Sequence, residues 1–140
     1  MCGLTYSGHP LSCAAGIATL DVYEEEHILE NTRAMGKILG ELEEELKENH
    51  ACVGDVRYKG LFSAVELVKD KATKEPLVAY NADKANLMGK INGMLKEKGF
   101  STYTHENIII VAPPLIINET ELREAMKILD EVLTDVDKMI

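Results

Sequence analysis

Thr5 and Ser7 place two hydroxyls two residues apart, Gly8 lets a ligand approach the backbone, and Pro10 opens a run of helix-forming residues. A helix N-terminus presents amides with no partner inside the helix and the equivalent of about half a positive charge. That end is suited to an anion, so the expected site is a phosphate or carboxylate bound near Thr5 and Ser7. The plainer alternative is a helix entry in which Ser7 or His9 merely caps the open amides.

The other reactive side chains form no comparable group. His9, His27, His50 and His105 are scattered, with no spacing that brings two together as metal ligands. No GxSxG elbow, dinucleotide fingerprint or P-loop is present. Lys37, Lys59 and Lys69 stand in no extended apolar run of the kind that activates an amine. Cys2, Cys13 and Cys52 are odd in number and match neither a zinc pattern nor a CxxC pair. They read as reduced thiols of a cytoplasmic protein. Taken alone, these residues make no complete catalytic apparatus.

The elements that must position the loop follow from hydrophobic spacing. Pro at the first helical position loses no hydrogen bond, and Ala14, Ala15, Ile17, Ala18 and Leu20 continue a first helix up to Glu24-Glu25-Glu26. Carboxylates favour a fresh helix start before Ile28. Met35, Ile38, Leu39, Leu42 and Leu46 then recur at three and four as one buried stripe. Glu41, Glu43, Glu44, Glu45, Lys47 and Glu48 between them read as a solvated face. Strands are expected over 53–57 and 61–68, with Gly60 at positive φ in the connection, and a charged loop over 69–76. A helix over about 83–98 buries Leu87, Met88, Ile91, Met94 and Leu95 and stops at Gly99. Two further strands cover 100–104 and 108–112, where Pro113 and Pro114 end the ladder. Asn118 and Glu121 form a capping box for a last helix. Glu66, inside a strand, is expected on an exposed face in a structural or solvated role.

The fold class is therefore α+β: a long N-terminal helical part, then a small antiparallel sheet covered by helices on one face. A parallel βαβ arrangement is less favoured, because the strands come in adjacent pairs. The division expected is residues 1–48, loop and interdomain helices, and residues 49–140, a small C-terminal domain. The chain has 140 residues, 46% hydrophobic and 28% charged, enough for one packed core. A formal charge of −9 argues against nucleic acid and anionic membrane surfaces as partners. The first helix carries apolar side chains with no evident cover. Self-association through it, or disorder of the first twenty or so residues, is the expected consequence.

The segment Gly3-Leu4-Thr5-Tyr6-Ser7-Gly8-His9-Pro10 with Cys13-Ala14-Ala15 closely resembles the stretch after the catalytic lysine of class III pyridoxal-phosphate aminotransferases, the ω-aminotransferase group. The likeness continues through Val56-Arg57-Tyr58-Lys59-Gly60-Leu61-Phe62, Val65-Glu66-Leu67-Val68-Lys69-Asp70 and Ala112-Pro113-Pro114-Leu115. It implies a small domain of a fold-type I enzyme, with pyridoxal 5'-phosphate as cofactor. It also implies a ping-pong transfer of an amino group between a small amine or amino acid and a 2-oxo acid. Thr5 takes the place of the family threonine that reaches across a homodimer to the cofactor phosphate of the neighbouring subunit. The lysine that links to the cofactor, the acid at the pyridine nitrogen and the glycine-rich phosphate loop belong upstream in the family. The resemblance thus implies a split product, a truncated reading frame or an isolated domain, inactive without a partner N-terminal half. Many relatives that bind an α-carboxylate carry an arginine three residues before the first proline, where Ile110 stands. Another subgroup uses one further upstream, nearest to Tyr103. The departure removes a bidentate clamp and disfavours ornithine-type substrates. Arg57 matches a family arginine and is expected to be structural. The competing reading is a non-catalytic α+β module for dimerisation or regulation.

Overall fold

A computed structural model describes residue 3 and residues 5–140. Cys2 lies outside the described residues. Helix α1 (Pro10–Glu25) leads through a left-handed His27, φ 51°, into α2 (Ile28–Asn49). Strands β1 (Val53–Lys59) and β2 (Phe62–Asp70) form a hairpin, followed by a two-residue β3 (Glu75–Pro76). Then come α3 (Leu87–Glu97), β4 (Thr104–His105), β5 (Ile108–Val111) and α4 (Glu119–Val136).

The sheet runs β1-β2-β5-β4, with β3 paired to β2, and each of these pairings is antiparallel. Register decides what each face carries. Ser63, Val65 and Leu67 face inward, opposite Tyr58, Val56 and Val53 on one side, with Val111 and Ile109 opposite Ser63 and Val65 on the other. Leu39 and Leu46 of α2, Ile91 and Leu95 of α3, and Leu122, Leu129 and Leu133 of α4 close over that face as one core. Fully burying each such side chain contributes about 1.5–3 kcal/mol, so the three helices are held by the sheet and not by propensity. The opposite face carries Arg57, Phe62, Ala64, Glu66 and Ile110, all exposed or half-buried.

Helix α2 lies unusually close to the hairpin. A β-carbon on Gly36 would fall 2.6 Å from Gly60 Cα, and one on Gly40 would fall 2.5 Å from the Tyr58 ring. Gly60 itself sits at φ 57°, as the tight connection demands. Asn31 adds a distant tie, donating to the carbonyls of Leu115 at 2.7 Å and Ile117 at 3.0 Å.

Four local expectations need correction. Residues 69–76 are not wholly loop: the chain turns at Lys74, φ 59°, and Glu75–Pro76 returns against Val68 and Asp70. Helix α3 starts at Leu87 because Asp83 stays outside it and caps it, accepting from the amides of Leu87 at 2.7 Å and Met88 at 2.9 Å. The strand expected over 100–104 is only Thr104–His105, since the preceding residues run along β5 with little ladder pairing. Glu43 is not solvated but fully buried, because with Leu39 and Leu46 it falls on the inward stripe at four and seven residues from the first.

Candidate functional site

The turn before α1 is built by its own sequence. His9 N–H donates to Tyr6 O at 3.1 Å, and Gly8, at φ 76°, occupies the position where this turn needs a left-handed residue. The Tyr6 and His9 rings pack at 5.6 Å between centroids and hold the turn's two ends together. Thr5 and Ser7 both lie on this turn and are exposed.

His9 is the N-cap, in extended conformation, and its side chain makes no capping hydrogen bond. Capping by His9 is therefore not what occupies this end. Pro10 has no amide to satisfy, Cys13 N–H makes the first helical bond to His9 O at 3.0 Å, and the Leu11 and Ser12 amides belong to the first turn, which has no acceptor within its own helix. No acidic residue stands in the first turn. The helix end therefore opposes no anion with a charge of like sign, and the hydroxyl of Thr5 and the two amides are donors matched to phosphate oxygens.

Helix α1, which follows the turn, is exposed along almost its whole length. None of its residues is buried in this chain; Leu11, Ile17 and Leu20 are each more than 60% exposed. Its apolar residues are spread around the axis and form no stripe.

Tyr103 and Ile110 are brought together. Ile110 N–H donates to Tyr103 O at 3.0 Å, and both line an open cleft of about 580 Å³ with Pro113, Pro114, Leu122 and Met126. The lining is mostly apolar and contains no arginine or lysine. No residue of the Thr5–His9 turn lines it.

Arg57 and Glu66 pair on the outward sheet face. Arg57 Nη1 donates to Glu66 Oε2 at 2.8 Å and to Asp55 Oδ2 at 2.9 Å, and Asp55 also accepts from Lys47 Nζ at 3.0 Å. The Glu66 hydrogen bond is the largest influence keeping the Arg57 guanidinium protonated. With every charge in the group partnered, its role is to fix the β1–β2 register on that face.

Sequence spacing missed one cluster. His50, at the end of α2, is buried with Nδ1 2.7 Å from Asp137 Oδ2 and Nε2 2.9 Å from Asp130 Oδ1, both on α4 or its cap. Asp137 Oδ1 also accepts Cys52 N–H at 2.8 Å. Burial works against ionising Asp137, but the bonds from Cys52 and His50 outweigh it and hold the carboxyl below the usual range. Burial pushes the Cys52 thiol well above the ordinary thiol range, whereas Cys13 is exposed. The partners lie 80 to 87 residues apart, and no local pattern in the sequence marks them.

Residues 2–133 match the family model described as aminotransferase class-III. Ethanolamine-phosphate phospho-lyase homolog 1 of Caenorhabditis elegans is 37% identical over 133 residues, covering 93% of this chain and 27% of that protein. Taurine–pyruvate aminotransferase of Bilophila wadsworthia is 35% identical over 135 residues, covering 96% of this chain and 30% of that protein. Among solved structures, the taurine:2-oxoglutarate aminotransferase of Bifidobacterium kashiwanohense, in complex with PLP and glutamate, superposes with a TM-score of 0.89 at 43% identity. That superposition covers 99% of this chain and 31% of the other. The chain thus spans about three tenths of the length of the relatives it matches.

Proposed function

Since the chain belongs to the class III aminotransferases, we propose that it serves amino-group transfer between an amine or amino acid and a 2-oxo acid, with pyridoxal 5'-phosphate as cofactor. The observation that carries this reading is the acid-free N-terminus of α1 behind Thr5, where the N-cap His9 makes no side-chain capping bond. When bound, the cofactor supplies the electron sink for amino exchange. The residues of this chain hold its phosphate. The Thr5 hydroxyl donates to a phosphate oxygen, the Leu11 and Ser12 amides and the helix dipole stabilise its charge, and Ser7 lies on the same turn. In a homodimer that phosphate belongs to the neighbouring subunit.

The remaining residues shape the surroundings. Ile110 and its neighbours present a neutral wall with no guanidinium to clamp an α-carboxylate, which disfavours ornithine-type donors. The matched relatives named for taurine agree with that preference. Residues 1–48 join the small domain, residues 49–140, to the lysine-bearing part of the enzyme, with α2 packed into the small domain's core. The uncovered α1 is enclosed by that part or by the second subunit. Reduced Cys13 and Cys52 suit a cytoplasmic enzyme. Alone, these 140 residues have no amino-transfer activity.

The test uses an assembled enzyme that contains this segment. Losing one hydrogen bond to a charged group costs about 1.5–3 kcal/mol. Thr5→Val is therefore expected to raise the pyridoxal phosphate Kd by roughly ten- to a hundredfold. An unchanged Kd would overturn the assignment. A non-catalytic dimerisation module, the competing reading, would leave the assembled protein without cofactor affinity at all.

A further inference from the structure

Glu43 sits at the centre of the α2–sheet interface, with no exposed surface. Its Oε1 makes a short hydrogen bond with Ser63 Oγ of β2, and Ser63 Oγ also lies 3.3 Å from the Val111 carbonyl of β5. Its Oε2 has no hydrogen-bond partner among the described residues.

Counting protons settles how these atoms pair. Ser63 has one hydroxyl hydrogen and two neighbours, and the Val111 carbonyl can only accept. If Glu43 were ionised, Ser63 would have to give its hydrogen to the carboxylate. Val111 O would lose that contact, and a buried charge would keep one oxygen unpaired, which is costly. If Glu43 carries a proton, it donates to Ser63 Oγ, Ser63 donates to Val111 O, and both bonds form. From these positions we infer that Glu43 is a proton-dependent latch, closed when neutral, which ties α2 through Ser63 to the end of β5.

Among the described residues, no cation faces the group to offset its charge. On α2, Glu44 is adjacent, and Lys47 one turn on is taken by Asp55 of β1. From β1, Tyr58 packs against Gly40, one turn before Glu43. From β2 and β5 the facing residues are Ser63, Val65, Ile109 and Val111, with no titratable group among them. On α4, Arg123, Lys127 and Asp130 lie against the Leu42, Glu45 and Asn49 side of α2. Burial is the largest cause of the carboxyl's rise from 4.5 to about 7; the Ser63 bond opposes it and Glu44 adds to it. When the proton leaves to solvent, Ser63 swings its hydrogen from Val111 O to the carboxylate and the latch opens. Val111 follows Ile110 and precedes Ala112-Pro113-Pro114, so opening acts directly on the wall of the cleft.

A group raised in the folded state stabilises fully below its unfolded value, and that gain is lost as pH rises through the folded value. The unfolding constant of the full chain should therefore grow by up to about tenfold per pH unit between 4.5 and about 7. Glu43→Gln keeps an N–H donor toward Ser63 without the proton. It should remove this part of the pH dependence and leave the variant more stable than the parent at pH 8. Equal pH slopes for parent and variant would overturn the latch. Should the variant not fold, carbon NMR of the Glu43 carboxyl in the parent chain decides. A midpoint near 7, shared by the Ser63 and Val111 amides, supports it; a midpoint near 4.5, or amides that do not follow, refutes it.

Discussion

Replacing Asp137 by alanine removes two bonds that join the ends of α2 and α4. Asp137 Oδ1 accepts Cys52 N–H at 2.8 Å, and Oδ2 accepts from His50 Nδ1 at 2.7 Å. A hydrogen bond to a charged group is worth about 1.5–3 kcal/mol net, and stranding a buried donor adds its desolvation. The Asp137 side chain is 24% exposed, so water replaces part of what is lost, and the low end of the range applies. The expected loss is about 3 kcal/mol, or roughly a hundredfold in the unfolding constant. Urea unfolding of the 140-residue chain at pH 7 measures it, with an unchanged m-value expected. The carboxyl titrates lower when folded than its ordinary 3.8. Its contribution is therefore present in full above that range and disappears as pH falls through the folded value. The gap between parent and variant should accordingly close in acid. Asp137→Asn, which keeps a carbonyl for Cys52 N–H, should lose about half as much. A variant within about 0.5 kcal/mol of the parent at pH 7, or a gap that persists in acid, refutes the reasoning.

Gly36→Ala should destabilise by about 1–3 kcal/mol through overpacking, because the new carbon meets Gly60 backbone atoms at 2.6–2.8 Å. Gly16→Ala in α1, with nothing within 4 Å, should instead stabilise by about 0.5–1 kcal/mol from helix propensity. Thermal melts separate the two, and the same sign for both would contradict the packing described. A thiol reagent should modify exposed Cys13 in the folded chain and reach Cys52 only on unfolding. Mass spectrometry of the labelled peptides reads this directly, and equal rates would refute the burial.

What was legible in the residues was whatever is encoded locally. Asn118 and Glu121 form the expected capping box, each side chain bonding the other's backbone amide, because both partners lie within one turn. Gly60 adopts the positive φ expected of it, and α3 ends at Glu97, just ahead of Gly99, the residue expected to stop it. Glu66, expected on an exposed face, is half-buried on the outward face and pairs with Arg57. Features that depend on distant partners were not legible. His50 meets α4 more than 80 residues away, and no local pattern marks that. Glu43 was read by its charge when its position, between Leu39 and Leu46 on one face, was the stronger signal. The start of α3 was misplaced because Asp83 caps the helix from outside it. The turn before α1 was legible as a candidate anion site, through its hydroxyls, glycine and proline. Its proposed use in amino transfer rests on the family to which the chain belongs.

The most direct measurement is a crystal structure of the assembled enzyme with pyridoxal phosphate bound. The account predicts a phosphate oxygen about 2.7 Å from the Thr5 hydroxyl, with the open N-terminus of α1 facing the phosphate. A bound cofactor whose phosphate touches no residue between Thr5 and Ser12 would contradict it.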